Sequence, residues 1–262
     1  MQLVDSHCHI DAIEFDGDRA EVVQRALAAG VHRMVVPAVA ADGWPKLRDV
    51  CAGTGGLLPA YGLHPIALSV HRAEHLLLLR DWVERERPVA IGECGLDFFI
   101  PELDAAAQGA YFEGQLHVAR DFDLPVIVHA RRAVEAVIAA IRRVGGLRGV
   151  VHSFAGSHEQ ARQLWDAGFM IGLGGPVTYE RANRLRRLAS SMPLEFLLLE
   201  TDAPDQPDAE HRGRRNEPAN LVLVARTIAA LRGTELEDIA TATAANAGRL
   251  FGERVSALSA TA

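Results

Sequence analysis

The sequence has few cysteines, no excess of basic residues and no long apolar run, and each absence excludes a class of protein. Its three cysteines, Cys8, Cys51 and Cys94, are an odd number without paired spacing, so no disulfide framework is predicted. No basic segment followed by an apolar one opens the chain, so no signal peptide is expected. No apolar stretch approaches the length of a membrane-spanning helix. These features predict a cytoplasmic protein with no membrane partner.

The charge balance also argues against one kind of partner. Lys and Arg total 27 and Asp and Glu total 34, which gives a formal net charge of −7. A protein that coats long stretches of nucleic acid normally carries a basic stripe, so this class is disfavoured. An enzyme that grips one or two phosphates in a pocket is compatible with the same balance.

Short apolar or β-branched runs alternate with longer amphipathic patterns along the chain. The predicted strands are LVDSH (3–7), HRMVVPAV (32–39), GLLPAYG (56–62), PVAIGEC (88–94), LPVIVHA (124–130), LRGVVHSF (147–154), GFMIGLG (168–174) and LEFLLLETD (194–202). Because a helical pattern follows each of the eight strands, the sequence predicts an α/β fold, a (β/α)8 barrel of the TIM type. No linker or composition break divides the chain, so one domain over residues 1–262 is expected.

The helical patterns carry their own start signals. One apolar face repeats at helical spacing in Val134, Val137, Ile138 and Ile141. Ser157 with Gln160 predicts a capping box, and Thr234 with Glu237 predicts the same start for the last helix. The longest irregular stretch, residues 203–220, is a polar loop after the eighth strand, and long loops on compact domains are often functional.

The strand ends carry most of the chemically versatile side chains. In a barrel of this kind, catalytic groups collect at the C-terminal ends of the strands. Five histidines and two carboxylates fall there: His7, His9, His64, His129, His152, Glu93 and Asp202. The other six histidines lie on presumed helices, at the opposite rim or in the long loop, and are expected to be solvated or capping residues: His32, His71, His75, His117, His158 and His211.

The HxH pattern near the start of the chain is the first of these strand-end groups. Alternation along a strand directs His7 and His9 to one side and Cys8 toward the helix layer, so Cys8, like Cys94, is expected to be a small core residue. Alone, the pair could be a polar accident at the end of an ordinary strand. With the other strand-end ligands it predicts a metal site, and imidazole with carboxylate suits zinc, manganese, iron or cobalt.

Two neighbouring cations need an anionic ligand between them, and Glu93, central in the ligand order, is the natural bridge. The chemistry of such a site is hydrolysis, because divalent metals activate water and stabilise both oxygens of a phosphoryl displacement. An aspartate at the end of the eighth strand can hold a metal and accept the proton of the attacking water. Glu93 and Asp202 are therefore the predicted catalytic residues.

A set of short segments adds a more specific signal. They are DSHCHID (5–11), GLHP (62–65), IGECGLDFF (91–99), LPVIVHARRA (124–133), VVHSFAGS (150–157), ETDAP (200–204), RGRRNEP (212–218) and ATAANAGRLF (242–251). In this order they resemble the TatD-like metal-dependent deoxyribonucleases of the amidohydrolase superfamily, and the resemblance runs essentially from end to end. It implies a TIM-type barrel that holds two divalent metal ions, zinc, manganese or magnesium.

The resemblance also implies residue roles and a substrate. One metal would be held by His7, His9, Glu93 and Asp202, and the second by Glu93, His129 and His152. Asp202 would activate the nucleophilic water, and the substrate phosphate would be faced by His64, Arg131, Arg214, Arg215 and Asn216. Members of the family are nucleases that commonly trim DNA from a 3′ end. DNA ends or short oligonucleotides are therefore the expected substrates of a 3′–5′ exonuclease, and no obligate protein partner is expected.

The chain departs from the family pattern where substrate would be selected. Phe98 and Phe99 stand where the family often has two tyrosines, and Arg132 stands where an aspartate commonly follows the HxR arginine. The loop after ETDAP gains negative charge from Asp205, Asp208 and Glu210. Asp97 is expected to orient a neighbour rather than to bind metal.

Two alternatives to a nuclease stay open at this point. The same metals could hydrolyse an amide, a lactone or an aminoacyl ester, because metal-activated water also attacks carbonyls. The barrel could instead be a non-catalytic scaffold, although a scaffold has no need of a solvent-facing hydrolytic centre.

Overall fold

The computed structural model describes residues 1–256, in which eight strands form one sheet. The strands are β1 (Leu3–Asp5), β2 (Val31–Pro37), β3 (Leu57–Tyr61), β4 (Ala90–Asp97), β5 (Val126–Arg131), β6 (Gly149–Val151), β7 (Phe169–Leu173) and β8 (Leu197–Leu199). Neighbours pair in parallel and in chain order. The predicted (β/α)8 fold is confirmed, and the last six residues of the predicted domain lie outside the described residues.

A helix follows each strand, and two more end the described chain. The helices are α1 (Arg19–Ala28), α2 (Trp44–Gly53), α3 (Glu74–Glu86), α4 (Ala105–Asp121), α5 (Val134–Val144), α6 (His158–Asp166), α7 (Asn183–Ser191), α8 (Leu221–Arg232), α9 (Leu236–Phe251) and α10 (Glu253–Ser256). Within residues 1–256, none of them is long and apolar enough to cross a membrane.

Buried apolar side chains form two clusters. The larger lies between the sheet and the surrounding helices. The smaller takes at least one residue from every strand, which places it inside the barrel: Val4, Val35, Leu58, Ala90, Ile127, Val150, Met170 and Leu198. Leu250 and Phe251 of α9 also join it. The filled interior is typical of TIM-type barrels and leaves the C-terminal rim as the place for a site.

The seam between the first and last strands brings distant parts of the chain together. Beyond β1 and β8, the Asp202 N–H donates to the His7 carbonyl oxygen at 2.9 Å. The buried Asp5 carboxylate accepts bonds from the Thr201 N–H at 3.0 Å and from the Thr201 hydroxyl at 2.6 Å. These bonds fix the end of β1 beside the end of β8, so His7 and Asp202 lie at one point of the rim.

All eight strands differ from their predicted bounds by one or more residues, and β6 and β8 are only three residues long, so His152 and Asp202 follow their strands instead of ending them. β4 continues three residues beyond the predicted end at 94, because Gly95, Leu96 and Asp97 pair with the second half of β5. β1 ends at Asp5, so the HxH segment lies just after the strand instead of inside it. The prediction that Cys8 faces the packing layer holds, since Cys8 is fully buried in the larger apolar cluster.

Two predicted features of the helices are confirmed. The apolar face of α5 is buried as predicted. The capping box of α6 is confirmed, because the Gln160 N–H donates to Ser157 Oγ at 3.1 Å and the Ser157 N–H donates to Gln160 Oε1 at 2.8 Å.

The predicted start of the last long helix at Thr234 is wrong. Gly233 adopts a left-handed conformation that ends α8, and the Thr234 N–H donates to the Ala229 carbonyl oxygen as part of that helix end. α9 therefore begins at Leu236, preceded by Glu235, which makes no side-chain cap.

Candidate metal centre

The carboxylate of Glu93 lies at the centre of the histidines at the barrel rim. Its Oε1 is 2.7 Å from His152 Nε2 and 3.1 Å from His129 Nδ1. Its Oε2 is 3.1 Å from His7 Nε2 and 3.5 Å from His9 Nε2. The two oxygens of one buried carboxylate therefore face two separate pairs of histidines.

Asp202 completes the group on the Oε2 side. Its Oδ1 lies 3.4 Å from His7 Nε2 and 3.6 Å from His9 Nε2. The ligand atoms of His7, His9 and Asp202 all lie within 4.8 Å of one another, which is close enough for one ion to reach all three. The structure thus brings together all six residues that the sequence predicts as metal ligands.

Hydrogen bonds fix which nitrogen of two histidines faces the cluster. His9 Nδ1 lies 3.1 Å from the Pro37 carbonyl, which can only accept, so Nδ1 carries a proton and Nε2 keeps its lone pair in neutral His9. His129 Nε2 lies 3.1 Å from Asp97 Oδ2, which leaves His129 Nδ1 to face Glu93. Outer partners of this kind orient metal-binding histidines. The expected orienting role of Asp97 matches this geometry.

Glycine allows the strands below the cluster to approach closely. Gly95 has φ +144°, a conformation that side-chain-bearing residues rarely adopt, and a Cβ built there would lie 2.0 Å from the His129 carbonyl oxygen. A larger residue would push β4 away from β5. Glu93 and His129 lie on these two strands, so their spacing depends on this glycine.

The electrostatics of the cluster keep Glu93 charged although it is buried. Burial on its own would raise the pKa of Glu93, but the neighbouring charges of His152, His64 and His7 outweigh it and hold that pKa well below its usual value. Burial would lower the pKa of His152, and Glu93 reverses this and raises it to about 10.

The donor set fits a divalent cation. The Nε2 atoms of His7 and His9 lie 3.2 Å apart and face two carboxylates, an arrangement that needs a proton or a cation between the groups. The pKa of His9 shows the same preference for a positive charge at this position. Burial would lower this pKa, but Glu93 raises it to about 9. Imidazole nitrogen with carboxylate oxygen is the ligand chemistry of zinc and manganese.

His64 differs from the other histidines of the cluster. The Ile66 N–H donates to His64 Nδ1 at 3.0 Å, so in neutral His64 the proton is on Nε2. This Nε2 lies 2.9 Å from Glu93 Oε1, and a protonated nitrogen cannot coordinate a metal. His64 is therefore a hydrogen-bond donor next to the candidate metal ligands.

A cavity of about 1330 Å³ opens above the cluster. The wall of the cavity has an apolar, a basic and an acidic part. The segments after β2, β3 and β4 contribute apolar Val39, Ile66 and Phe98. The basic part of the wall comes from Arg131 at the end of β5, Arg132 just after it and Arg184 in the first turn of α7. The loops after β8 and β1 contribute Asp205 and Glu14.

The arginines predicted in the long loop do not belong to this wall. Among the described residues that line the cavity, none lies between 211 and 217. Arg215 instead donates to Asp18 at 2.6 Å and to Glu217 at 3.0 Å. A structural ion pair is an alternative that the sequence leaves open for these arginines, and Glu217 is only two residues away. Nothing in the local sequence indicated Asp18, which is nearly 200 residues away.

Asn216 is also used inside the fold. It is buried, and its Nδ2 donates to the Thr201 and Asp205 carbonyl oxygens, each at 2.9 Å. The side chain ties the loop 203–220 to the segment that carries Asp202. Arg215 and Asn216 therefore have structural partners and Arg214 lies outside the cavity, and contact of these three residues with phosphate stays a prediction.

The added acidic residues of the same loop separate in the structure. Asp205 lines the cavity. Asp208 is buried, pairs with His211 at 2.8 Å and accepts the Glu210 N–H, so it holds the loop. The expectation that all three acidic residues lie where substrate would be selected holds for Asp205 alone.

Two histidines expected to be solvated or capping residues are buried. His71 lies before α3 instead of on a helix, and its Nε2–H donates to the His64 carbonyl oxygen at 2.8 Å. His75 accepts the Arg72 N–H at 3.3 Å, which is a capping contact. His71 thus supports the loop that carries His64.

Sequence reasoning missed several residues that support the site. Gln206 Nε2 donates to Asp202 Oδ2 at 2.5 Å, and Gln206 Oε1 accepts the Ser153 hydroxyl at 2.7 Å. Gln108 Oε1 accepts the Asp97 N–H at 2.7 Å. A buried glutamine on an otherwise apolar helix face was a usable signal for Gln108, whereas no spacing distinguished Gln206 or Arg184.

Comparison with known proteins agrees with this geometry. Residues 4–252 match the family described as TatD related DNase. The chain belongs to this family. The uncharacterized metal-dependent hydrolase YjjV of Escherichia coli K12 is 38% identical over 253 residues, which cover 95% of this chain and 98% of the relative. The 3′-5′ ssDNA/RNA exonuclease TatD of Klebsiella pneumoniae strain 342 is 34% identical over 262 residues, which cover 95% and 98%.

A solved structure shows the same similarity in three dimensions. The crystal structure of YjjV, a TatD homologue from Escherichia coli K12, has a TM-score of 0.90 and 37% identity and covers 95% of this chain and 97% of that one. The predicted family and the predicted enzyme class are thereby confirmed. This TatD-family chain is a metal-dependent hydrolase.

Proposed function

We propose that this TatD-family hydrolase is a two-metal deoxyribonuclease that removes nucleotides from the 3′ ends of DNA. The observation that carries the proposal is the position of Glu93, whose two carboxylate oxygens face two separate sets of ligand atoms. A carboxylate between two cations reduces their mutual repulsion, and paired cations suit in-line phosphoryl displacement.

The ligands divide into two sets. The first ion would be held by His7, His9, Glu93 and Asp202, and the second by Glu93, His129 and His152. Support comes from the hydrogen bonds that leave His9 Nε2 and His129 Nδ1 free to face the cluster. Zinc, manganese or magnesium would fill the sites, with nitrogen-rich ligation favouring the first two.

Bound divalent ions would supply Lewis acidity for the phosphate and activate a water molecule. The residues of the chain do the rest. Asp202 directs Oδ1 toward the cluster, and Gln206 fixes Oδ2 by a hydrogen bond. Asp202 accepts the proton of the attacking water. His64, whose Nε2–H donates to Glu93 Oε1 in the structure, would give this hydrogen bond to a phosphate oxygen once metal ions occupy the carboxylate. Arg131 at the cavity wall neutralises phosphate charge.

Two observations support a nucleic acid as the substrate. The basic side of the cavity, with Arg131, Arg132 and Arg184, suits a chain of phosphates. A full-length relative at 34% identity is a 3′-5′ ssDNA/RNA exonuclease. Action at 3′ ends of DNA is the form of this activity that we propose for the present chain.

Incubation of labelled oligonucleotides with the metal-reconstituted protein tests the proposal. We expect a 5′-labelled single strand to shorten stepwise and a 3′ label to be released as a mononucleotide. Glu93→Ala and Asp202→Ala should each lower the rate about 100-fold or more, because both remove a metal ligand. Glu84→Ala, an exposed residue of α3, is the matched control. Equal rates for wild type and both site variants would contradict the proposal.

The acidic side of the cavity favours a second candidate function, hydrolysis of carboxylic esters or amides. Asp205 and Glu14 would repel a polyanion and accommodate a neutral or cationic ester or amide. A panel of carboxylic esters, lactones and amides, assayed beside the oligonucleotides, distinguishes the two activities. Turnover of the panel without cleavage of DNA would favour the carbonyl hydrolase.

A further inference from the structure

The apolar side of the cavity rim exposes side chains that the hydrolytic centre does not use. Val39, Ile66 and Phe98 follow three neighbouring strands and are 39%, 53% and 40% exposed. Large apolar side chains that stay exposed next to a polar site commonly mark a surface that binds a ligand. Phe98 is the aromatic residue of this group and lies nearest in sequence to the ligand-bearing strand β4.

Phe99, the next residue, has a separate role. Its ring lies 3.7 Å from the Arg131 guanidinium carbon and 4.7 Å from that of Arg132. A guanidinium over the face of an aromatic ring is attracted to it electrostatically and is thereby held in place. Phe99 thus supports the basic side of the cavity, while Phe98 lines the cavity itself.

The charges around the rim fit one kind of occupant. Arg131, whose carbonyl oxygen accepts the Phe98 N–H at 2.9 Å, and the neighbouring Arg132 attract phosphates to the side next to Phe98, although Glu135 on the same side is bonded to Gln160. Asp205 and Glu14 repel phosphates from the far side. A nucleotide strand held by Arg131 and Arg132 would therefore lie beside the exposed ring of Phe98.

We propose that Phe98 is a stacking platform for an unpaired nucleobase beside the scissile phosphate, so that it selects single-stranded over double-stranded nucleic acid. This inference rests on the proposed nuclease function and adds a specificity-determining residue to it. A base within a duplex is stacked and paired, and presenting its face to Phe98 costs unstacking free energy. An unpaired base pays little of this cost and gains the stacking contact.

Binding of a fluorescein-labelled oligothymidylate to the metal-free protein, followed by anisotropy, tests the platform without cleavage. Phe98→Ala and Phe98→Leu should weaken binding about tenfold, because leucine keeps apolar area but cannot stack. Phe98→Tyr should restore it. Leu77→Ala, at an apolar position on α3 that is 68% exposed, should bind as wild type does. Equal melting temperatures of the variants show that they are folded.

Abasic oligonucleotides make the test specific for the base. Single abasic sites are placed in turn at each of the last few positions of the 3′ end. At one of them, removal of the base should weaken binding to wild type about tenfold and leave binding to Phe98→Ala unchanged. The inference is overturned if Phe98→Leu binds like wild type, or if base removal weakens both proteins equally at every position.

The substrate preference follows the same logic. With metal added, Phe98→Ala should raise KM for a single strand about tenfold with little change in kcat, and should change cleavage of a blunt duplex less. If no DNA is cut by wild type but the binding pattern holds, the nuclease function fails and the platform stands. If DNA is cut and Phe98→Ala binds normally, the platform fails and the nuclease function stands.

Discussion

Asp97 accepts the Nε2–H of His129 at 3.1 Å, and this bond decides which nitrogen of His129 faces Glu93. The Phe99 N–H donates to the other Asp97 oxygen at 2.9 Å, so the carboxylate is held from two sides. Partners of this kind orient metal ligands, and their loss typically weakens metal binding ~10–100-fold. Asp97 therefore supports the site by orienting His129 through its Oδ2.

The first prediction concerns this pair. Asp97→Ala should weaken metal binding about 10–100-fold, because His129 can then rotate or carry its proton on Nδ1. Competition titration against a chromophoric zinc chelator measures the change. Asp49→Ala, which removes an exposed carboxylate paired with Arg48, should bind metal as wild type does. Identical metal affinities for Asp97→Ala and wild type would contradict the orienting role of Asp97.

The second prediction concerns the carboxylate shared by the two ligand sets. Glu93→Gln removes the negative charge but keeps the size of the side chain, so two cations can no longer sit side by side. Elemental analysis after gel filtration should give about two metal ions per wild-type chain and at most one for the variant. Glu84→Gln is the control. A full complement of metal in Glu93→Gln would show that the carboxylate is not a bridge.

The third prediction is a pH dependence of metal binding. The pKa values of His9 and His152 are raised to about 9 and about 10, so both rings are protonated at neutral pH without metal. A metal must displace these protons, so its affinity should fall as the pH is lowered, about tenfold per pH unit for each proton displaced. Calorimetry in two buffers of different ionisation enthalpy counts the protons. A binding enthalpy independent of the buffer would contradict the expectation.

The fourth prediction separates structure from substrate binding in the long loop. Asn216→Ala leaves the Thr201 and Asp205 carbonyl oxygens without their donor and should lower the free energy of unfolding by about 1–3 kcal/mol. Urea denaturation measures it, with the exposed Gln24→Ala as the control. KM for an oligonucleotide should not rise, and a raised KM at unchanged stability would restore the phosphate-binding hypothesis.

Local sequence patterns predicted the barrel because short apolar runs alternate with amphipathic helical patterns along the sequence. In a barrel of parallel strands, the C-terminal ends of all strands lie at the same rim. Glu93 on β4 and His129 on β5 could therefore be grouped before any coordinates were known. The ends of strands such as β1 and β4 were not predicted accurately, because a strand ends where its pairing with the neighbouring strand ends, and local composition does not show this.

Tertiary structure alone decided which polar side chains reach the cavity. Arg215 and Arg184 have similar sequence surroundings, yet Arg215 meets Asp18 across the fold while Arg184 lines the cavity. The proton positions of His9 and His64 likewise depend on Pro37 and Ile66, whose backbone groups reach the rings only in the folded chain. The sequence by itself determined the fold and the ligand types, since these depend on periodicity and order. The choice between metal ligand, hydrogen-bond donor and structural ion pair was left to contacts that form only in the folded chain, such as those of His9 with Pro37 and of Arg215 with Asp18.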